Sequence, residues 1–208
     1  MGLDWLPGNK PQPGQERAFA RLLKKLQSES RFRREARLKR FHAISVTAYE
    51  TLKAPRVGRD DVATDWARQA YGKEPRDVTE EKWLEDLAGY YVLQLLPPCD
   101  GLPRYSNCSL GYVERFSFRA DFLKDCAEIV GDEMMERAYL MQSPEELMCY
   151  GESLIERAQT FAAAKAIDTR CLDTSDVDSI ETRLDVVLAA GRWCVFWAER
   201  GHYLEPYF

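Results

Sequence analysis

The sequence predicts a mainly α protein, a compact single-domain helical fold with at most a small two-stranded β element. Three observations favour this class. Apolar residues recur at helical spacing over most of the chain, helix-start signals precede several of these stretches, and strand-like alternation is confined to two short segments. The 208 residues, 45% of them hydrophobic, suffice for one core. We therefore expect a single domain over residues 1–208.

The N-terminal region divides into a segment rich in proline and glycine and a basic helical stretch. Residues 1–14 contain three prolines and three glycines, so we expect neither a helix nor a central strand there, but a segment packed on the body. A helix is predicted after Gly14, a weaker helical pattern covers residues 31–42, and β-branched residues predict a short strand at 44–46. The apolar stripe of the first helix consists of Phe19, Leu22, Leu23 and Leu26.

Four further helices follow from apolar stripes and capping signals. One covers residues 61–71, and a second opens at a capping box formed by Asp77 and Glu80. A third begins at Ser143-Pro144-Glu145-Glu146, which combines a capping serine with proline at the first helical position. The last runs from about residue 175 to 199 and becomes apolar on all sides near its end, which predicts a central position.

The sequence changes character between residues 97 and 131. Residues 99–107 are typical of a turn-rich loop. Residues 112–118 alternate between apolar and polar side chains and predict a strand, which we expect to pair with the strand near Val46. Two helices are then expected, one ending at Gly131 and a shorter one around residues 134–139.

The six cysteines favour a reduced interior rather than a disulfide framework. Cys126, Cys149 and Cys194 fall among apolar residues of predicted helices, where a free cysteine behaves as a small core side chain. Cys99 and Cys108 share the predicted loop. The N-terminus lacks the pattern of a signal peptide, and no apolar run approaches the length of a membrane span. We therefore expect a cytoplasmic protein without membrane contact.

The net charge of −5 conceals two opposite blocks. Residues 15–42 carry ten basic and three acidic side chains, a charge of +7, so the remainder of the chain carries −12. The basic segment 17–40 either lies against acidic surface of its own chain or of a second subunit, or binds an anionic partner such as nucleic acid. We favour the first interpretation because the nearest counter-charge belongs to the protein itself.

The local motifs of the large enzyme families are missing from the sequence. It contains no Gly-Lys-Ser/Thr phosphate loop, Cys-x-x-Cys pair, His-Glu-x-x-His or Gly-x-Ser-x-Gly. Glu199 and His202 have the spacing of a metal-binding pair, but a second such pair is missing and Gly201 interrupts the helix. We expect His202 to be a surface histidine, and we expect neither a metal nor a cofactor.

The loop region of residues 99–121 is the candidate site, because it concentrates polar side chains on flexible turns. Asp100 and Glu114 are the candidate catalytic acid or base. The alternative is that Arg115 and Arg119 only pair with neighbouring acids and shape the fold. The candidate binding residues are Arg104, Tyr105, Asn107, Arg115, Arg119 and Asp121.

Three functions stay open on this basis. The first is a binding or accessory protein whose helical body docks a protein partner or forms a homo-oligomer. An alternative is an enzyme or small-molecule binder with a polar site in the 99–121 region. The other alternative is nucleic-acid binding through residues 17–40, which we disfavour because no nucleic-acid motif accompanies the basic residues.

Overall fold

The computed structural model describes residues 2–28, 34–73, 77–96 and 116–208. Within them the chain is mainly α, which confirms the predicted fold class. The contacts between Cα atoms separate two compact units, a larger one of residues 1–48 and 100–208 and a smaller one of residues 49–99. Each unit has its own buried apolar residues.

The larger unit contains most of the helices and all the described strands. No helix among the described residues combines the length and apolar character needed to cross a membrane. Its elements in chain order are β1 (Asp4–Pro7), β2 (Lys10–Pro11), α1 (Glu16–Ser28), α2 (Arg34–Ala43), β3 (Ser45–Val46), a 3₁₀ helix (Ala120–Cys126), α6 (Ala127–Val130), α7 (Asp132–Arg137), α8 (Pro144–Ala164), α9 (Ile180–Glu199) and β4 (Leu204–Tyr207).

The smaller unit consists of short helices around a small apolar cluster. The chain enters it through α3 (Ala48–Thr51), and α4 (Asp61–Tyr71), α5 (Glu80–Asp86) and a 3₁₀ turn (Leu93–Leu95) follow. The predicted Asp77–Glu80 capping box is wrong. Thr79 caps α5, since its hydroxyl accepts from the Lys82 N–H at 3.3 Å. The helix begins at Glu80, so Thr79 and not Asp77 occupies the position whose side chain reaches the free N–H groups of the first turn.

Helices α8 and α9 form the central pair of the larger unit, and α8 begins as predicted. The Ser143 hydroxyl accepts from the Glu146 N–H, and the Glu146 carboxylate accepts from the Ser143 N–H at 2.8 Å. This reciprocal box satisfies two backbone donors at the start of a 21-residue helix.

A glycine from each helix lies where α8 and α9 meet. A Cβ atom on Gly191 would lie 2.6 Å from Ile155 Cγ1 and 2.8 Å from the Gly151 carbonyl oxygen. A Cβ atom on Gly151 would lie 2.7 Å from the Cys194 Cβ. Because real Cβ atoms do not approach other atoms so closely, the two helix backbones approach each other at a distance that only glycine allows.

Helix α9 starts at Ile180, five residues later than predicted, with Ser179 as its cap. The preceding residues form local turns instead: the Asp173 carboxylate accepts from the Ser175 N–H, and the Asp176 carboxylate accepts from the Asp178 N–H, both at 3.0 Å. Aspartate side chains that bind the backbone two residues ahead compete with helix formation, which is why α9 begins after them.

The first residues of the chain enter the core. Trp5 is completely buried, and its ring packs on Phe118, Tyr150 and Trp193 at centroid distances of 5.1–5.9 Å. Its indole N–H donates to the Ala138 carbonyl at 2.8 Å. The burial of a large side chain and of its polar atom with a partner fixes β1 in place.

The strands form two antiparallel two-stranded sheets. In one, β1 pairs with β4, with Trp5 opposite Pro206; in the other, Lys10 of β2 lies opposite Val46 of β3. The predicted pairing of residues 112–118 with the strand near Val46 is wrong where it can be examined, because Phe118 forms a bridge with Trp5. Residues 112–115 lie outside the described residues.

The prediction that helical cysteines are buried is confirmed for two of them and is wrong for a third. Cys126 and Cys194 are buried free thiols, whereas Cys149 is an exposed one. Cys149 lies two residues from Leu147, which is completely buried. Two residues turn a helix by about 200°, so Cys149 faces the opposite side of α8. Cys99 and Cys108 lie outside the described residues.

The contact between α8 and α9 predicts the effect of adding one methyl group. Gly191→Ala should destabilise the protein by about 1–3 kcal/mol, because the new Cβ forces the two helices apart. Thermal or urea denaturation followed by circular dichroism measures this change.

Gly72→Ala is the matched control, since a Cβ there meets its nearest atom only at 3.8 Å. Alanine has a higher helix propensity than glycine by up to about 1 kcal/mol, so in the absence of a close contact the substitution is neutral or stabilising. A stabilised Gly191→Ala variant would contradict the close approach of α8 and α9.

Candidate functional site

Most of the candidate site predicted from the sequence lies beyond the described residues. This holds for both candidate catalytic residues, Asp100 and Glu114. It also holds for the candidate binding residues Arg104, Tyr105, Asn107 and Arg115. Only Arg119 and Asp121 have a described position.

Arg119 and Asp121 each form an ion pair near the surface. Arg119 Nε lies 3.4 Å from an Asp4 carboxylate oxygen, and Asp121 pairs with Lys124 one turn later. The Lys124 ammonium lowers the pKa of the Asp121 carboxyl. Exposed pairs of this kind contribute about 0–1 kcal/mol. The pairing of Arg119 agrees with the structural alternative stated for that residue, and the binding role of Arg119 and Asp121 stays a prediction.

The larger unit contains a cleft of about 520 Å³. It lies between the α1–α2 hairpin, the pair of helices at 16–28 and 34–43, and the two chain ends, residues 7–9 and 203–205. One side is contributed by the two helices, and the other by the turn after β1 and by the residues around the start of β4. The lining residues are Pro7, Gly8, Asn9, Leu23, Leu26, Leu38, Phe41, His42, Met141, Tyr203 and Glu205.

Aromatic packing attaches the α1–α2 hairpin to the unit. Phe19 is 1% exposed, and its ring lies 4.7 Å from Phe41 and 5.7 Å from Tyr203. Leu23 and Leu26, which belong to the same stripe of α1, are only half-buried. The stripe is thus completely covered at its N-terminal end and open to the cleft one turn later.

A hydrogen-bonded connection between the chain ends fixes the opposite wall. The Gly8 N–H donates to the Tyr203 carbonyl at 2.8 Å. The Gly8 carbonyl accepts from His202 Nδ1 at 2.7 Å. Since a carbonyl only accepts, this contact assigns the proton to Nδ1. Two bonds therefore fix Gly8 at the edge of the cleft.

The expectation that His202 is a surface histidine is wrong, because its side chain is completely buried. Helix α9 ends in a Schellman motif: Gly201 has φ +76°, its N–H donates to Ala198, and the His202 N–H donates to Trp197. In this motif the residue after the glycine packs against the last turn, and the His202 and Trp197 rings lie 5.1 Å apart. The glycine after an apolar helix end was the sequence signal for this burial.

The same turn separates His202 from Glu199, which is exposed. The two residues therefore do not share a metal site. Among the described residues, no group of three or more histidine, cysteine, aspartate or glutamate side chains has the arrangement of a metal site.

Burial lowers the pKa of His202 to about 4, because the imidazolium loses hydration there. The hydrogen bond to Gly8 opposes this shift, and the positive charges of Lys10 and Arg200 add to it. His202 is therefore neutral when the protein is folded at neutral pH.

Carboxylates dominate the electrostatics beside Tyr203. Burial raises the pKa of the Tyr203 phenol, and the negative charges of Glu145 and Glu146 raise it further. Glu205 lines the cleft on the same side. The Lys10 ammonium donates to the Arg200 carbonyl at 3.0 Å. This cation lies nearby but does not line the cleft.

The basic side of the hairpin forms a separate feature, which we call the cationic stripe. It consists of Arg17, Arg21 and Lys24 on α1, at positions i, i+4 and i+7, and all three are exposed. They lie opposite the apolar stripe of the same helix. It is therefore the apolar side of α1, and not the basic side, that packs on the rest of the unit.

Searches with this chain find no matching protein-family model, no matching curated protein and no matching solved structure.

The buried histidine predicts an acid-sensitive contribution to stability. The unfolded chain binds a proton at His202 near pH 6.5, and the folded chain binds it near pH 4. The free energy of unfolding should therefore be highest above pH 6.5 and decrease as the pH is lowered from 6.5 to 4, by roughly 3 kcal/mol at most from this residue. Urea denaturation across this range measures the decrease.

His202→Asn should make this acid dependence shallower, because the amide keeps a donor but does not titrate. Since the chain has two histidines, an NMR titration of the native protein gives the His202 pKa even if the variant folds poorly. A value near 6.5 would contradict the burial.

Proposed function

We propose that this chain is a binding protein that associates with an acidic surface of another protein through the cationic stripe. The observation that carries the proposal is the division of α1 into two faces. The apolar face is used in packing, and the opposite face presents three cationic side chains to solvent. Exposed charges of one sign on an ordered helix favour fast and specific association with a complementary surface.

The spacing of the stripe suits a helical partner. Arg17, Arg21 and Lys24 extend over about 10 Å of helix at a rise of 1.5 Å per residue. Carboxylates at the same spacing on a second helix would face them in register. The two arginines have planar guanidinium groups that bind carboxylates through paired hydrogen bonds, which adds orientation to the charge attraction.

Charge distribution favours a protein partner over a nucleic acid. The chain outside residues 15–42 carries −12. Electrostatic interactions extend over about 8 Å at physiological ionic strength. A long phosphate backbone extends past the basic residues over a chain that is otherwise net acidic, whereas an acidic patch on a folded protein can be limited to the length of the stripe.

The cytoplasm is the compartment that suits this proposal. The four described cysteines are free thiols, and Cys149 and Cys171 are exposed. Exposed thiols persist in a reducing compartment and form disulfides in an oxidising one.

A designed acidic helix tests the proposal. The probe is a fluorescent alanine-rich peptide with glutamates at i, i+4 and i+7, and anisotropy gives its affinity at about 0.15 M salt. The double variant Arg17→Gln/Arg21→Gln should bind about tenfold more weakly, since each exposed pair contributes up to about 1 kcal/mol. Its thermal stability should stay close to that of the native chain, because both side chains are exposed.

Arg59→Gln/Lys73→Gln is the control, because it removes two exposed cations outside the hairpin. It should retain the affinity of the native chain. Equal affinity of both double variants would overturn the proposal. A duplex DNA that binds more tightly than the peptide, with an affinity that falls steeply with salt, would instead establish nucleic-acid binding.

A further inference from the structure

The cleft between the α1–α2 hairpin and the chain ends has two walls of different chemistry. We infer that it is a binding site for a small organic ammonium compound, with an apolar body against the helices and the amine against Glu205. This site is independent of the cationic stripe, which lies on the opposite face of α1.

The helical wall is apolar and only partly covered. Leu23, Leu26 and Leu38 are half-buried, and Phe41 closes the wall beside them. Phe19, in the same stripe of α1, is completely buried. An alkyl or aryl group in the cleft would cover the leucines as the protein covers Phe19, and the removal of this apolar surface from water favours binding.

The opposite wall has acceptors and a carboxylate. The Glu205 carboxylate approaches the turn at Gly8, since a Cβ on Gly8 would lie 3.7 Å from Glu205 Oε2. Glu145 and Glu146 contribute negative charge near Tyr203. Among the described residues, the basic groups near this wall are Lys10, whose ammonium donates to the Arg200 carbonyl, Arg200, whose guanidinium lies over the Phe196 ring at 3.5 Å, and His42 at the helical edge. The wall therefore attracts a cation and disfavours a carboxylate ligand.

The cleft has the size and the rigidity of a small-molecule site. Its volume of about 520 Å³ lies within the range of roughly 300–1,000 Å³ found for ligand pockets. The bonds from Gly8 to Tyr203 and His202 fix the polar wall before a ligand binds. A wall that is already ordered avoids the entropic cost of ordering on binding.

Three probes of equal chain length test the chemistry: octylamine, octanol and octanoate. Isothermal titration calorimetry should show saturable binding of octylamine, about fivefold or more tighter than octanol, and octanoate should bind most weakly. Equal affinity of all three, tighter binding of octanoate, or no binding of octylamine would overturn the inference.

A lysine-containing peptide distinguishes a free amine from an amine on a protein side chain. Acetyl-Leu-Lys-Leu-amide should bind more weakly than octylamine, because its peptide groups would lose hydrogen bonds to water against the apolar leucine wall. Tighter binding of the peptide would overturn the assignment to a small molecule.

Paired variants locate the site. Glu205→Gln should remove the preference for octylamine over octanol, whereas Glu152→Gln, at an exposed position on α8, should retain it. Leu26→Ala should weaken the binding of both octylamine and octanol several-fold. Leu140→Ala, at a leucine that is 57% exposed, should leave the binding of both unchanged. An unchanged preference in Glu205→Gln would place the amine elsewhere. The thermal stability of each variant shows that it is folded.

Discussion

The burial of Trp5 is the interaction on which the larger unit depends. Trp5 packs on side chains of α8 and α9, and its indole N–H requires a partner, which the Ala138 carbonyl provides. This position determines the course of β1, which pairs with β4, the last strand. The paired ends in turn place Gly8 beside Tyr203 and His202. The polar wall of the cleft is thus a consequence of burying one aromatic ring.

The sequence predicted correctly the helices that are specified by residues close together in the chain. The amphipathic stripe of α1 and the capping box at Ser143 each depend on residues within one or two turns, so periodicity and spacing were sufficient. The start of α9 was misplaced because aspartates such as Asp173 compete for the backbone in a way that apolar periodicity does not record. The pairing of the strands could not be predicted from neighbouring residues either. Lys10 and Val46 lie far apart in the sequence, and two-residue strands have no pattern that specifies a partner.

The site predicted from the sequence lies where polar residues concentrate in one segment, whereas the cleft is formed by residues from several distant segments. Its lining comes from α1, α2, the turn after β1 and the residues around β4, which are distant in the sequence, and α1 and α2 contribute mainly apolar side chains rather than the basic ones that mark segment 17–40. Tyr203 and Glu205 become part of a site only because the chain ends meet. One signal was available: Gly201 follows an apolar helix, and the residue after such a glycine often packs inward. That rule would have predicted a buried His202.

The apolar face of α1 lines the cleft and its opposite face carries the cationic stripe, so a ligand bound at one face could in principle change binding at the other. A helix of 13 residues is marginal by itself in water, so its order depends on packing. Phe19 supplies that packing, since its side chain is 1% exposed. A ligand covering Leu23 and Leu26 would therefore add contacts to a helix that is already formed. A ligand shifts an equilibrium only by its difference in affinity for two states. Because Phe19 already holds α1 in place, we expect the proposed binding at the cleft and at the cationic stripe to be independent, so that the two binding free energies add.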